Sequence, residues 1–185
     1  MIRVGYMGIP FSNSAEMSVK MSAALGLEGV EHVALMSSRG VVDALMDGSI
    51  EYGVLAVENR FAGIVLETQK AMEGMPLEVL LLDWTPIHHC VFVKDGDVKV
   101  KKLISHVQAL MQSQGNLRRL YPEAEFVECE DTAYAAEMLA DGTIGPEYAA
   151  VCRMDAGTHY GLTLVHENVE DNKDNMTKFA IVRRV

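Results

Sequence analysis

Cysteine is scarce in this chain, and its three residues, Cys90, Cys129 and Cys152, lie far apart. No CxxC pair exists, which removes the usual zinc-site and redox-motif spacings. His88, His89 and Cys90 are consecutive. Neighbours on a strand point to opposite faces, so at most His88 and Cys90 share a side, too few ligands to hold a metal. No metal is expected. Long apolar runs are missing too, so no membrane-spanning helix is expected. The opening MIRVGYMG lacks the charged-then-apolar layout of a signal peptide and reads as a strand over Ile2–Tyr6; a cytoplasmic protein is expected. Positive charge is short: 16 Lys and Arg face 26 Asp and Glu, a formal net charge of −10. That excludes the basic surface a nucleic acid needs. It does not exclude a small anion, because a local pocket can be positive on an acidic protein. Also absent are a Walker A loop, GxGxxG, HExxH and GxSxG, any repeat period, and any Gly/Ser-rich linker.

What is present is an alternation of strand and helix patterns. After the first strand comes the turn-rich GYMGIPFSNSAE, where Asn13 and Glu16 have the spacing of a capping box. Met17, Met21, Ala24 and Leu25 then share a helical face, and Gly26 can close that helix. HVALM reads as a strand, and Val42, Leu45 and Met46 as a short helix ending at Gly48. YGVLAV is an apolar strand of the buried kind, stopped by Glu58, Asn59 and Arg60. LEVLLL and PIHHCVFV are strands, KLISH leads into a helix over residues 107–120, and FVECE leads into a helix with Thr132 near its start. YAAVCR, GLTLVHE and TKFAIV complete the set. Such units indicate α/β layers with mostly parallel strands.

In open α/β sheets ligands gather at the carboxyl ends of strands. Polar groups recur there: Ser12 in the turn after the first strand, Glu58, Asn59 and Arg60 after YGVLAV, Ser105, His106 and Gln108 after KLI, and Asp131 and Thr132 after FVECE. Each one alone is an ordinary helix cap. As a set at helix N-termini, where free N–H groups favour anions, they suit a small anionic ligand. The last strand is led by Asn175, Thr177 and Lys178, which fits either a turn or the rim of a binding site.

VGYMG…FS, YGVLAVEN…G, SHVQAL, DTAYAA and NMTKF, in that order from Val4 to Val182, resemble the catalytic domain of prephenate dehydratase. The resemblance implies an α/β, two-lobed fold of the type II periplasmic-binding-protein kind with the ligand in the cleft between lobes. Lobe 1 would comprise about residues 1–80 with 162–185, and lobe 2 about 81–161. It implies conversion of prephenate to phenylpyruvate with loss of water and carbon dioxide, in phenylalanine biosynthesis. Carried over by position, the catalytic threonine falls on Thr177, followed by Lys178 and Phe179; the Glu-Asn pair on Glu58 and Asn59; the Ser-His-Pro-Gln segment on Ser105, His106, Val107 and Gln108; and the Ser-Thr-Ala segment on Asp131, Thr132 and Ala133. Thr177, Asn59, Gln108 and Ser105 are then the expected catalytic donors. Glu58, Lys178, Phe179, Arg60, Thr132, His106 and Ser12 are the expected substrate contacts. Aromatisation drives the reaction, so no cofactor is expected. The family's tendency to dimerise makes a homodimer the expected assembly state.

The chain departs from the family pattern in several places. Lys178 stands where the motif has Arg, which keeps the charge but loses the bidentate fork. Arg60 follows the Glu-Asn pair, where a small polar residue is usual, and offers a second cation. Val107 replaces Pro, the first loop is short, and no regulatory ACT domain of the family's kind is expected. Three readings stand at this point: a dehydratase, a relative that decarboxylates without expelling the hydroxyl, and a non-catalytic binder of small carboxylates. Retention of Thr177 favours the first.

Overall fold

A computed structural model describes all residues from Met1 to Val185. The chain divides into two compact units, Met1–Ile87 with Asn175–Val185, and His88–Asp174. The exchange points thus lie at residues 87/88 and 174/175. Segment 81–87 belongs to the first unit and segment 162–174 to the second, a correction to the boundaries expected from the sequence.

The first unit contains β1 (Ile2–Tyr6), α1 (Asn13–Ala24), β2 (Val30–Ala34), α2 (Ser38–Asp47), β3 (Tyr52–Asn59), β4 (Gly63–Ile64), α3 (Leu66–Met72) and β5 (Leu77–Pro86). The second contains β6 (Cys90–Val93), β7 (Lys102–His106), α4 (Val107–Gln112), α5 (Gln114–Leu120), β8 (Glu125–Cys129), α6 (Thr132–Asp141), β9 (Tyr148–Cys152), α7 (Met154–His159) and β10 (Thr163–His166); β11 (Met176–Arg184) returns to the first. The first sheet runs β2-β1-β3-β11-β5, with β4 on β3, and the second runs β10-β6-β9-β7-β8.

Neither sheet is mostly parallel. β1, β2 and β3 pair in parallel, but β11 is antiparallel to both neighbours. In the second sheet β7 is parallel to β8 and β9, whereas β6 is antiparallel to β9 and β10. The pattern could not reveal this, because a strand buried on both faces reads as a continuous apolar run in either direction. Phe179 and Ile181 of β11 pack with Val4, Tyr6, Met17, Met21 and Val54 on the α1 face. Ala180 and Val182 pack with Val41, Leu45 and Ala71 on the face of α2 and α3. β11 therefore alternates with period two inside the sheet, apolar on both sides.

Two local readings change. The N-cap of α1 is Ser12, not Asn13: its Oγ accepts from the Ala15 N–H at 3.2 Å. The helix expected over residues 107–120 is broken at the buried Ser113. The reason is tertiary. Asp171 accepts from the N–H groups of Gly115 and Asn116 at 2.8 and 2.7 Å, so α5 gets its own N-terminal carboxylate from a distant segment. Beside it, the Glu170 side chain is buried and accepts from the His88 ring at 2.8 Å and the His89 N–H at 3.0 Å. Burial alone would raise its pKa, but the His89 N–H and the His88 ring outweigh burial and hold the carboxyl below the usual glutamate range.

A carboxylate with a lowered folded pKa stabilises the fold above its unfolded pKa, about 4.3 for glutamate, and that contribution is lost as pH falls through the folded value. Glu170→Gln should cost about 1–3 kcal/mol at pH 7. In urea denaturation the gap between wild type and variant should narrow below about pH 4.

Candidate functional site

The polar lead-in to the last strand is not a loop. Thr177 and Lys178 lie inside β11, with β3 on one side and β5 on the other. Thr177 faces Asn59 and Thr85, and Lys178 faces Glu58 and Trp84. Directly opposed residues in a sheet share a face, so these are two clusters on opposite sides.

An irregularity between Lys178 and Phe179 sets this arrangement. Phe179 pairs with Ala56, yet Lys178 pairs with Glu58, so Val57 is an extra residue on β3. Such a bulge re-aims the residues beyond it. Without it, Lys178 would face Val57 and Thr177 would face Glu58. With it, an amide stands beside the Thr177 hydroxyl in place of a carboxylate.

The amide decides which way that hydroxyl points. Asn59 Oδ1 accepts from the backbone N–H groups of Phe61 and Ala62, both at 3.0 Å, which fixes the orientation of the amide in the turn after β3. Its Nδ2 then faces Asn175 Oδ1 at 2.9 Å, the Met176 carbonyl at 3.1 Å and Thr177 Oγ1 at 3.1 Å. Thr177 Oγ1 accepts from Asn59, so its single proton is left to donate elsewhere. A carboxylate at this place would instead have taken that proton as an acceptor.

On the other face Lys178 Nζ meets Glu58 Oε2 at 2.5 Å and lies 4.6 Å from the centre of the Trp84 ring. The Arg60 guanidinium lies 5.8 Å from the same ring centre, within cation–π range. The Arg60 N–H donates to the Met176 carbonyl at 2.9 Å, which ties the turn after β3 to the start of β11. Lys178 was expected to hold a substrate carboxylate; its ammonium is already paired with Glu58. Phe179 was expected at the substrate; it is 2% exposed and belongs to the core under α1. Ser12 is buried as the α1 cap.

In the second unit, Ser105 is fully buried and donates its hydroxyl to the Val151 carbonyl, bonding β7 to β9. That proton, expected to serve a substrate, serves the sheet. His106 caps α4, with Nδ1 accepting from the Gln108 N–H at 3.2 Å, and the Gln108 side chain is exposed. Thr132 opens α6 behind the cap Asp131, whose Oδ1 accepts from the Ala133 N–H at 2.7 Å. Burial raises the Asp131 pKa, partly offset by that N–H and by the nearby His106. No group of three or more His, Cys, Asp or Glu side chains is arranged to hold a metal ion. No helix is long and apolar enough to cross a membrane.

Sequence reasoning assigned no role to Trp84 and named Asn175 only as part of the polar lead-in to the last strand. Only the β5–β11 register brings Trp84 to Lys178. Asn175 did carry a signal: it lies two residues before Thr177, the spacing of one strand face.

The mixed sheets and the two units define an α/β protein of the periplasmic-binding-protein-like class, carrying a threonine hydroxyl presented by a buried amide. A periplasmic substrate-binding protein of an ABC transporter from Coxiella burnetii superposes with a TM-score of 0.54 at 15% identity, over the whole of this chain and 84% of that one. The chain belongs to the prephenate dehydratase family, whose family model matches residues 4–185. Arogenate dehydratase 5 of Arabidopsis thaliana, a chloroplast protein, is 28% identical over 99% of this chain and 42% of its own length. The prephenate dehydratase of Arthrobacter aurescens, solved in complex with L-Phe, superposes with a TM-score of 0.85 at 21% identity, over all of this chain and 61% of that one. The chain thus spans less than two thirds of the length of these dehydratases.

The two faces should respond differently to substitution. Asn59→Leu strands several buried hydrogen-bond partners and should cost about 2–4 kcal/mol. Glu58→Gln breaks a pair that is a quarter to two fifths exposed, so less than about 1 kcal/mol is expected. Urea denaturation of both variants checks the order.

Proposed function

We propose that this chain catalyses the decarboxylating dehydration of prephenate to phenylpyruvate. The observation that carries the reading is the Asn59–Thr177 hydrogen bond, which leaves the threonine proton to be donated. The carbon–carbon bond to the ring carboxylate breaks and carbon dioxide leaves. Its electron pair enters the ring, and the carbon–oxygen bond to the ring hydroxyl breaks. The departing oxygen takes up a proton and leaves as water. Prephenate dianion and one proton thus give phenylpyruvate, carbon dioxide and water. Thr177 is a poor acid, so its part is a preorganised hydrogen bond to the oxygen that gains charge as it departs.

The cations have a separate role. Lys178 is held by Glu58 and Trp84, and Arg60 is the second cation on the same indole. Two cations beside one indole are groups of the kind a substrate with two carboxylates takes. Within the second unit, the exposed Gln108 amide and the first turn of α6 at Thr132 are donors of the kind a carboxylate takes. We place the reaction in the cytoplasm.

Arogenate undergoes the same bond changes and differs by an amino group in place of the keto oxygen. The 28% identity to an arogenate dehydratase supports it as a second substrate. The test is to incubate the purified chain with each compound and measure phenylpyruvate and phenylalanine. Thr177→Ala should lower kcat on the order of a hundredfold, and Thr177→Ser should recover part of the loss. Arg60→Ala should chiefly raise KM. Near-normal turnover in Thr177→Ala would overturn the mechanism. A decarboxylated, non-aromatic product would overturn the dehydratase assignment, and binding without turnover would leave a carboxylate-binding protein.

A further inference from the structure

Asn175 is the first residue after the chain re-enters the first unit, and it is 2% exposed. Its carbonyl accepts from the Ile87 N–H at 2.9 Å, so its backbone is fixed against the end of β5. Its side-chain oxygen accepts from Asn59 Nδ2 at 2.9 Å. Its own Nδ2 is buried and makes no hydrogen bond. A buried donor left unpaired is unfavourable, and so calls for an explanation. Aspartate would retain the acceptor with no idle N–H, and leucine would fill the space with no polar atom at all. Unlike either of these, asparagine offers a carbonyl acceptor with no charge, beside the amide that orients the Thr177 hydroxyl.

We propose that Asn175 is a positioning residue for the reaction: it holds Asn59 through a neutral carbonyl, and Asn59 in turn presents Thr177 as a donor. Asn59 Nδ2 has two hydrogens and three acceptors in reach. Asn175 Oδ1 takes one of them at the shortest distance, which leaves the other for the Met176 carbonyl and Thr177 Oγ1. Without that acceptor one hydrogen is buried unpaired, and the amide is free to turn away from Thr177. A charged acceptor would keep the geometry but set negative charge three hydrogen bonds away from an oxygen that itself becomes negative as it departs.

This inference rests on the dehydratase reading, and the experiment separates the two. In the full-length chain, Asn175→Ala and Asn175→Asp are compared with wild type by steady-state kinetics on prephenate and arogenate across pH. Hydrogen exchange of the Asn59 side-chain amide is followed by NMR on the same proteins. Asn175→Ala should lose on the order of tenfold in kcat with KM changed by less than about threefold, and its Asn59 amide should exchange faster. Asn175→Asp should keep a slowly exchanging Asn59 amide. Its kcat should be low at neutral pH and rise towards acid as the introduced carboxyl becomes neutral, over a range where the wild type lacks that rise. Should Asn175→Ala fail to fold, the pH profile of Asn175→Asp decides alone. Wild-type kcat and pH profile in Asn175→Asp would overturn the proposal, as would unchanged Asn59 exchange in Asn175→Ala. A wild type that turns over neither substrate would overturn the dehydratase reading instead, and the exchange measurement would still decide whether Asn175 holds Asn59.

Discussion

The arrangement depends on one strand placement: the C-terminal strand β11 lies between β3 and β5, antiparallel to both. Residues more than a hundred positions apart become cross-strand neighbours, and the core is shared with α1 on one face and α2 and α3 on the other. Because the side-chain period of a strand is two, a slip of one residue would exchange the faces of every side chain. The apolar residues of β11 are buried on both sides, so burial alone favours neither register strongly. The Asn59–Thr177 hydrogen bond and the Glu58–Lys178 ion pair add polar contacts that only the observed register satisfies. The site residues therefore also help fix the strand that carries them.

The extra residue at Val57 is what makes the site chemically coherent. A regular ladder would oppose a carboxylate to the threonine hydroxyl and bind its proton. The bulge sends that carboxylate to the far face, where it meets a lysine, and brings an amide whose N–H can donate to the hydroxyl oxygen. A hydroxyl has one proton and two lone pairs, so occupying a lone pair directs the proton without consuming it. Bulges are common beside active sites for this reason: they re-aim a side chain at the cost of one unpaired residue.

Much of this was legible in the sequence, and the remainder fails for identifiable reasons. The order of strands and helices followed from period and turn residues, and Gly48 ends α2 in the left-handed conformation that favours glycine. The Glu58-Asn59 and Thr177-Lys178 segments were found, although their pairing was not. Register and bulges depend on residues distant in sequence and leave no local mark. The same blindness hid the break at Ser113, which an aspartate fifty-odd residues away stabilises. A position in a motif says nothing about burial: Ser105 bonds two strands, and Phe179 fills the core.

The substitution of lysine for the motif's arginine becomes intelligible once Trp84 and Glu58 are considered with it. An arginine would satisfy a carboxylate with a planar fork, and with Glu58 opposite, that fork would be engaged within the protein. An ammonium is a point charge with three donors. Lys178 can keep Glu58 and the indole face together while still adding positive potential to its surroundings. The fork is present instead one position after Asn59, on Arg60, whose backbone N–H is fixed to Met176 and whose guanidinium lies by the same indole. This face therefore carries a lysine paired with Glu58 across the strands and a guanidinium beside the same indole.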